Sequence, residues 1–492
     1  MRKCGILLPV FSLPSKYGIG TLSKESYDFV NFLKLSGQSY WQILPLGPTG
    51  YGDSPYQSFS TFAGNPYFID VDEFVSLGFI SASDCKKYSC DCTWGIDYEG
   101  LYTKRFALLR KAFDNSNIGK DKKFLAFVKE NAFWLDDYSL FMALKNANGG
   151  KSWTEWEEDL RVRKPEAIKK AAKEYAKEMD FYRFQQYFFK KQWSSLKKYA
   201  NENGVEFVGD IPIYVAFDSS DAWANPELFD LNKDNVPNAV AGCPPDPFAK
   251  TGQLWGNPLY RWDYHKKTGY EWWIKRISFC FDLYDVVRID HFRGFDEFYA
   301  IPYGDPTAEF GKWRKGPGFD LFKAINNALG EKKIIAEDLG FLTDSVRNLV
   351  KKTGYPGMKI LQFAFGGDND SEYLPHMLGN NSVIYTGTHD NETVRGWYER
   401  ILTEDKKSAK YLQDYSGETD PEKMAMTLIR MAYASVCDTV IIPMQDFLNL
   451  GNEGRINTPS VLGGNWGWRM GKKDATKALS KEILKLTKVY NR

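Results

Sequence analysis

The chain has 492 residues, a formal net charge of +1, 43% hydrophobic residues and 26% charged residues, as expected for a soluble globular enzyme. The near-zero charge argues against nucleic acid and anionic membranes as partners, and no segment has the ~18 uninterrupted apolar residues of a membrane span. Aromatic residues are in excess at 16%, with 15 Trp and 29 Tyr, which suits either a large core or a long sugar-binding groove.

The N-terminal run MRKCGILLPV has two basic residues before an apolar stretch, as secretory signals do. It is short, is interrupted by Pro9 and is not followed by a small-residue cleavage site, so it predicts a first β-strand instead. Helical patterns separate most of the apolar runs further along the chain. This alternation predicts an α/β fold, and eight runs predict a (β/α)8 TIM-type barrel. The predicted strands lie at 5–10, 40–46, 206–213, 285–290, 333–337, 359–365, 382–387 and 438–444.

Two long insertions interrupt this pattern within a single catalytic domain that spans 1–492. The first, at approximately 65–203 between strands two and three, is Lys- and Glu-rich with helical periodicity in its second half. Its mixed charges predict a solvated face. The second, at approximately 218–276 between strands three and four, is rich in Pro, Gly, Asn and Trp. That composition predicts an ordered loop with little regular structure, which acts as an active-site lid.

Four acidic residues each end a short apolar run that is part of a predicted strand or leads out of one: Asp210, Asp290, Glu337 and Asp390. The C-terminal strand ends of a (β/α)8 barrel hold its catalytic groups, because the loops above them form the only large cleft. One such residue often does no more than cap the next helix. Four in one chain, three of them flanked by His or Arg, indicate a carboxylate active site.

Two of these carboxylates have contrasting neighbourhoods. Arg288 and Asp290 are two positions apart in a strand, so their side chains share a face. The guanidinium is expected to lower the pKa of Asp290 and keep it ionised as a nucleophile, although a structural ion pair is the alternative. Glu337 follows an apolar IIA run, which is expected to raise its pKa and suits a general acid. Its neighbour Asp338 is either a rival for that role or an N-cap of the next helix.

The cysteine and histidine patterns bear on redox compartment and metals. Seven scattered Cys, an odd count, argue against a disulfide framework and for a reducing, cytoplasmic location. Cys85, Cys90 and Cys92 are clustered, but no second Cys or His pair follows to complete a zinc site. His389 and Asp390 would suit sugar hydroxyls or a metal, and no third ligand motif lies nearby. The sequence therefore predicts neither a metal nor another cofactor.

Seven motifs in order make the chain resemble a known family. They are GILLPVFSLPSKYGIG, GDSPYQSFSTFAGNPY, GDIPIYV, PPDPFAKTGQLWGNP, VRIDHFRG, AEDLG and THDN. Together they are similar to those of the 4-alpha-glucanotransferases (amylomaltase or disproportionating enzyme), barrel enzymes of the alpha-amylase clan that act with retention. The resemblance covers essentially the whole chain.

The resemblance implies a role for each matched residue. Asp290 would be the nucleophile and Glu337 the general acid and base. Asp390 would be the stabilising carboxylate, which binds hydroxyls of the sugar and distorts the sugar ring. Tyr51 and Tyr98 would form a secondary aromatic platform for glucan. The implied substrate-binding residues are Ser54, Tyr56, Asp210, Asp246, Gln253, Trp255, Arg288 and His389, with Tyr56 stacking on the donor sugar.

The implied activity is transfer of an α-1,4-glucan segment from a malto-oligosaccharide or amylose donor to the 4-hydroxyl of an acceptor glucan or glucose. Retaining transfer of this kind uses two carboxyl groups, one ionised and one protonated. A hydrolase of the same clan would use identical carboxylates and is the main rival. A non-catalytic glucan-binding protein, suggested by the aromatic excess, and a metal-dependent enzyme are the others.

Overall fold

The computed structural model describes residues 2–50, 52–89, 95–245, 250–340, 342–366, 371–461 and 463–492. Eight parallel strands close into a barrel in the order β1-β12-β11-β10-β9-β6-β3-β2, which confirms the predicted (β/α)8 fold. Each of the eight predicted apolar runs supplies one of these strands. The strands are β1 Lys3–Leu7, β2 Tyr40–Gln42, β3 Glu206–Pro212, β4 Ala239–Cys243, β5 Gln253–Pro258, β6 Val286–Asp290, β7 Glu297–Pro302, β8 Lys312–Lys315, β9 Ile334–Ala336, β10 Gly357–Ile360, β11 Ser382–Tyr385 and β12 Thr439–Pro443.

Helices surround the barrel and fill the connections between its strands. Their ends follow local chemistry: α14 begins after Thr343, whose hydroxyl accepts the N–H of Val346, and ends at Gly354 with a left-handed φ of 71°. The helices are α1 Lys24–Leu35, α2 Asp72–Ser76, α3 Ala82–Lys87, α4 Tyr98–Ser116, α5 Lys122–Glu130, α6 Ala132–Ala147, α7 Glu158–Arg161, α8 Pro165–Glu174, α9 Ala176–Glu202, α10 Ser220–Ala224, α11 Trp262–Lys267, α12 Glu271–Leu283, α13 Phe319–Leu329, α14 Asp344–Thr353, α15 Val394–Glu404, α16 Lys406–Ser416, α17 Pro421–Ala434, α18 Met444–Phe447 and α19 Lys477–Val489.

The region between β2 and β3 is helical from α2 to α9. Its last helix, α9, packs against the barrel as a crossover helix does. Trp193 of α9 is fully buried; its ring lies 4.7 Å from that of Phe207 in β3, and its indole N–H donates to the carbonyl of Leu283 at 2.9 Å. The sequence predicted an insertion at approximately 65–203. The last helix of that segment, α9, occupies the position of a barrel helix.

A second, antiparallel sheet stands beside the barrel with the strand order β5-β4-β7-β8. The prediction of little regular structure in 218–276 was wrong, because β4 and β5 lie in that segment, as do α10, α11 and the start of α12. β4 pairs with β5 on one side and with β7 on the other, where Ala239 lies opposite Pro302, a residue far along the chain. Local composition, rich in Pro, Gly and Asn, does not contain that pairing.

The barrel interior is apolar at its base and charged above. Successive side chains of a strand point to opposite faces. Those of Val286, Arg288 and Asp290 in β6 therefore point the same way, as do those of Val208 and Asp210 in β3. The register places Asp210 beside Arg288. The apolar residues form one buried cluster below the charges: Leu7, Tyr40, Val208, Val286, Ile335, Met358, Ile360, Val383, Tyr385 and Ile441.

Among the helices of the described ranges, none combines the length with the apolar character that crossing a lipid bilayer requires.

Candidate active site

Arg288 is the charged centre of the barrel mouth. Its Nη1 donates to both carboxylate oxygens of Asp210, at 2.8 and 2.7 Å, and its Nη2 donates to Oδ1 of Asp290 at 2.9 Å. The Arg288 side chain is 4% exposed and that of Asp210 is 0% exposed, whereas Asp290 is 30% exposed. Of the three, Asp290 is therefore the group that a substrate can reach.

Asp210 is held by two partners and does not face the cleft. Besides Arg288, it accepts a hydrogen bond from the hydroxyl of Tyr56 at 2.7 Å. The direct sugar contact predicted for Asp210 would require these bonds to open.

Tyr56 joins two strand ends. Its hydroxyl lies 2.9 Å from Nε2 of His389 as well as bonding to Asp210, and its ring stacks on the His389 ring at 5.3 Å with an interplanar angle of 18°. Burial and the charge of Asp210 raise the pKa of Tyr56 well above its usual value, so the hydroxyl stays protonated. One face of the Tyr56 ring is thus occupied by His389, so this face is not free for the predicted stacking on a donor sugar.

The pKa of Asp290 differs from the expectation. Burial raises it to about 6, because the desolvation of the carboxylate outweighs the opposite effect of Arg288, and the charges of Asp210 and Asp390 add to the increase. The sequence predicted a lowered pKa from the neighbouring guanidinium alone. That guanidinium is shared with Asp210, so only part of its charge compensates Asp290.

Glu337 is anchored to the end of β6, directly beside Asp290. Its carboxylate accepts the backbone N–H of His291 at 2.6 Å and that of Leu339 at 2.8 Å. Burial, followed by the negative charge of Asp290, raises the pKa of Glu337 to about 7, in the direction that the sequence predicted. His291 adopts a left-handed conformation with φ of 53°, which turns its N–H toward Glu337. The two carboxyls are therefore poised to hold one proton between them near neutral pH.

Asp338 was the rival to Glu337, and its carboxylate is engaged elsewhere. It accepts the backbone N–H of Met358 in β10 at 2.7 Å and is 9% exposed. It is not the N-cap of the following helix either, since Thr343 caps α14. Asp338 holds β9 and β10 together instead.

Asp390 lies in a pair with His389. Its Oδ2 is 3.3 Å from Nε2 of His389, and its Oδ1 accepts a hydrogen bond from Nδ2 of Asn457 at 2.6 Å. Burial alone would raise the pKa of Asp390, but the charge of His389 and these hydrogen bonds outweigh it and lower the pKa to about 2. Burial disfavours the charged form of His389, but the charge of Asp390 and its hydrogen bond outweigh burial, so the pKa of His389 is raised. Asp390 is therefore ionised, and 42% of its side chain is exposed toward the opening.

Sequence reasoning missed the loop that follows α18. Besides the side-chain bond of Asn457, its backbone N–H donates to the carbonyl of His389 at 3.1 Å, and Arg455 Nη2 donates to the carbonyl of Asp390 at 3.1 Å. This loop orients Asp390 from 67 positions away in the chain. Asn457 does not end an apolar strand; the polar run RINT around it was the only available signal.

Two of the predicted lid residues, Gln253 and Trp255, lie on β5, close to the C-terminal end of β6. The edge of the Trp255 ring meets the His291 ring at 4.7 Å and 89°, and its indole N–H donates to the side chain of Gln253 at 3.0 Å. Asp246 lies outside the described residues. The structure thus brings Trp255 to the residue next to Asp290.

The remaining predicted binding residues are arranged as follows. The Ser54 hydroxyl accepts the backbone N–H of Tyr56 at 3.3 Å and so shapes the turn that carries it. The Tyr98 hydroxyl donates to the carbonyl of Trp466 at 2.9 Å, and the Trp466 ring in turn lies 5.9 Å from that of Tyr56. Tyr51, the other half of the predicted platform, lies outside the described residues.

The described residues contain no group of three His, Cys, Asp or Glu side chains placed to hold a metal ion. Cys90 and Cys92 of the predicted cysteine cluster are outside the described ranges. The donors that surround the carboxylates are an arginine, a histidine, a tyrosine, an asparagine and backbone N–H groups, which suit hydroxyl-rich ligands and developing charge.

Comparison with known proteins decides the family. A family model described as 4-alpha-glucanotransferase matches residues 8–474. The chain belongs to the 4-alpha-glucanotransferase family. The resemblance drawn from the seven motifs is confirmed, and membership favours a transferase over the hydrolase and over the non-catalytic glucan-binding protein.

Individual relatives of the 4-alpha-glucanotransferase family match along their full length. The 4-alpha-glucanotransferase of Clostridium butyricum is 50% identical over 485 residues, which cover 98% of this chain and 99% of the relative. That of Aquifex aeolicus is 46% identical over 496 residues, covering 100% of both chains. The amylomaltase of Streptococcus agalactiae, solved in complex with acarbose, superposes with a TM-score of 0.96 at 41% identity and covers 100% of both chains.

Proposed function

We propose that this member of the family transfers α-1,4-glucan segments by double displacement, with Asp290 as nucleophile and Glu337 as general acid and base. The observation that carries the proposal is the hydrogen bond from the N–H of His291, the residue after Asp290, to the carboxylate of Glu337. It fixes the two carboxyls on neighbouring strand ends, where the charge of Asp290 adds to burial in raising the pKa of Glu337. A retaining mechanism needs such a pair, one ionised and one protonated.

In the first step, a carboxylate oxygen of Asp290 attacks the anomeric carbon of a glucose unit in the donor. The bond from that carbon to the glycosidic oxygen breaks, and Glu337 gives its proton to the departing oxygen, which leaves as a 4-hydroxyl. A β-linked glycosyl ester on Asp290 remains. The developing charge on the ring is stabilised by the ionised Asp390, which Asn457 and His389 orient.

In the second step, Glu337 takes the proton from the 4-hydroxyl of an acceptor glucan or glucose. The acceptor oxygen attacks the anomeric carbon, and the carboxylate of Asp290 leaves. Each displacement inverts the anomeric centre, so the product regains the α-1,4 linkage.

The choice of sugar over water is attributed to the segment 218–276 acting as a lid. Its β5 brings Trp255 against His291, so an acceptor sugar that packs under this strand would displace water and gain a high effective concentration. Gln253 and Trp255 are proposed to contact the glucan, together with Ser54, Tyr56 and His389. Asp246, Tyr51 and Tyr98 remain proposed binding residues on the resemblance alone.

The cysteines support a reducing, cytoplasmic location for the enzyme. Cys4, Cys85, Cys280 and Cys437 are buried and are not in disulfides. The burial of Cys280 raises the pKa of its thiol to about 12, so it remains an unreactive thiol.

The product pattern from maltotriose tests the proposal. A transferase converts it into glucose and a ladder of longer oligosaccharides, whereas a hydrolase only shortens it. Asp290→Asn is expected to lower transfer by about 10⁴-fold or more while glucan binding is retained. A chelator is expected to leave the rate unchanged. Shortening without any longer product would contradict the transferase proposal.

A further inference from the structure

The short helix α18, which directly follows β12, carries two adjacent polar residues that are buried. Gln445 is 4% exposed and Asp446 is 3% exposed. Each of them hydrogen-bonds to a different segment of the chain, and these two segments meet at Asp390 in the active site. The contacts of α18 therefore bear on how that carboxylate is held.

Asp446 hydrogen-bonds to both ends of segment 386–394, which carries Asp390. Its Oδ2 accepts the hydroxyl of Thr386, the first residue after β11, at 2.6 Å. Its Oδ1 accepts the backbone N–H of Val394, the first residue of α15, at 2.8 Å. An N–H in the first turn of a helix has no partner within that helix. One carboxylate thus fixes how the two ends of the segment lie relative to each other.

Gln445 holds the second segment, which is the loop that orients Asp390 from outside. Its Nε2 donates to the carbonyl of Gly454 at 3.1 Å. Two residues further along the loop follows Asn457, whose side chain donates to Oδ1 of Asp390. A shift of the chain at Gly454 would therefore move the donor that orients the carboxylate.

The two segments and α18 share one small cavity. His389, Arg455 and both polar side chains of α18 line it, and its volume is about 10 Å³, which is close to the space that one water molecule needs. Tight packing of this kind transmits small displacements. A change in either side chain of α18 is thus expected to reach Asp390.

A role in stability alone is the alternative for Asp446. Burial of its carboxylate is costly and raises its pKa to about 6, although the two hydrogen bonds oppose the increase. Neither of these donors is a cation that would repay the cost. A contact that only stabilised the fold would not need to join both ends of one segment. The placement of the two bonds favours a positioning role.

We propose that Gln445 and Asp446 are positioning residues that together set the location of Asp390. Asp446 fixes the segment that carries the carboxylate, and Gln445 fixes the loop that orients it, so α18 keeps the two in register. This inference rests on the proposed function for the role of Asp390 as the stabilising carboxylate. The location that α18 gives to Asp390 does not depend on which reaction follows.

Transfer from maltotriose by the full-length enzyme tests Asp446, with urea unfolding to verify that each variant is folded. Asp446→Ala is expected to lower kcat about 10-fold or more, and Thr386→Val about 2- to 10-fold. KM should change less, because Asp390 acts on charge that develops in the transition state. Asp446→Asn keeps an oxygen for the N–H of Val394 and an amide for the hydroxyl, so its kcat should stay within about 3-fold of the wild type.

A pair of substitutions tests Gln445 in the same assay. Gln445→Met keeps the approximate volume but removes the donor to Gly454, and it should lower kcat about 2- to 10-fold. Added to Asn457→Leu, it should cause little further loss, because both changes act through one hydrogen bond to Asp390. Losses that add fully would overturn the positioning role of Gln445.

Asp285→Ala is the matched control for Asp446→Ala. The Asp285 carboxylate accepts the backbone N–H of Phe207 at 2.8 Å and the side chain of Asn201 at 3.0 Å, but it precedes β6, at the end opposite Asp290. The control should lower the midpoint of urea unfolding without lowering kcat. An equal loss of kcat in both variants would overturn the proposal.

Titration of the histidines by NMR tests the position of Asp390 without catalysis. The chain has four His, so the signal of His389 can be assigned from its loss in His389→Asn. Asp390 raises the pKa of His389, and Asp446→Ala should lower that pKa, whereas Asp285→Ala should not.

The two readouts separate this inference from the proposed function. If the wild type makes no longer products from maltotriose, the proposed function fails, while the titration still tests the position of Asp390. The positioning role of Asp446 is overturned if folded Asp446→Ala and Thr386→Val keep the kcat of the wild type. It is also overturned if the pKa of His389 is the same in Asp446→Ala as in the wild type.

Discussion

Arg288→Met removes the charge that the buried carboxylates share. In the wild type, the guanidinium contacts Asp210 at 2.7 Å and Asp290 at 2.9 Å while its own side chain is only 4% exposed. Breaking a buried pair by deleting one partner costs about 3–5 kcal/mol, because the other charge is left uncompensated. Since most domains are stable by about 5–15 kcal/mol, we expect a large fall in the thermal midpoint but a chain that still folds.

The same substitution changes the ionisation of the nucleophile. Arg288 lowers the pKa of Asp290 against the effect of burial, and the balance is a pKa of about 6. Losing an opposite charge at this distance raises a carboxyl pKa by about 1–3 units. Asp290 must be ionised to attack, so activity is present above its pKa and lost below it. The acid limb of kcat/KM for maltotriose is therefore expected to move to higher pH by about 1–3 units.

The assay is the pH profile of transfer, measured well below the thermal midpoint of each variant. Two further variants separate stability from ionisation. Arg288→Lys keeps a charge without the two-pronged geometry and is expected to shift the limb by less. Asp210→Asn with Arg288→Met removes both members of the deepest pair, so stability should partly recover. The acid limb should also move part of the way back, because the charge of Asp210 no longer raises the pKa of Asp290. An acid limb that does not move in folded Arg288→Met would refute the electrostatic reasoning.

Three other substitutions test separate parts of the site and fold. Glu337→Gln should lower kcat by about 10²–10⁴-fold and abolish the alkaline limb of the pH profile. In the wild type this acid has a pKa raised to about 7 and loses its proton as the pH rises. An alkaline limb that persists in the variant would assign that limb to another group. Asn457→Leu deletes the hydrogen-bond donor 2.6 Å from Asp390 and should lower kcat about 10-fold or more, while the midpoint of urea unfolding is unchanged. A normal kcat would show that Asn457 does not position Asp390. Gly357→Ala would place a methyl group 2.3 Å from Oδ2 of the buried Asp338, and it should lower the free energy of urea unfolding by about 1–3 kcal/mol. The control Gly379→Ala, whose new methyl group would have no heavy atom within 4 Å, should leave that free energy unchanged.

The barrel and its acidic strand ends were predictable because both are local features of the sequence. An apolar run of four to eight residues predicts a buried strand, and its last residue faces the cleft. Asp290, Glu337 and Asp390 could be selected in this way without knowledge of any contact. Their assigned roles came from the motif resemblance and remain to be tested by the variants above.

Other features arise only from residues that are distant in sequence. The small sheet requires β4 to pair with β7, and the loop that carries Asn457 reaches Asp390 across 67 positions. No local pattern contains such pairings. The register of β3 and β6 likewise decides that Asp210 shares the guanidinium of Arg288.

The sequence by itself determined the barrel, the family and the set of carboxylates at the strand ends. Only the tertiary structure decided how those carboxylates ionise. The pKa of Asp290 is raised although an arginine lies two residues away, because desolvation is the summed effect of every atom packed around the site. A neighbour in sequence contributes one interaction to that balance, whereas burial is a property of the whole fold.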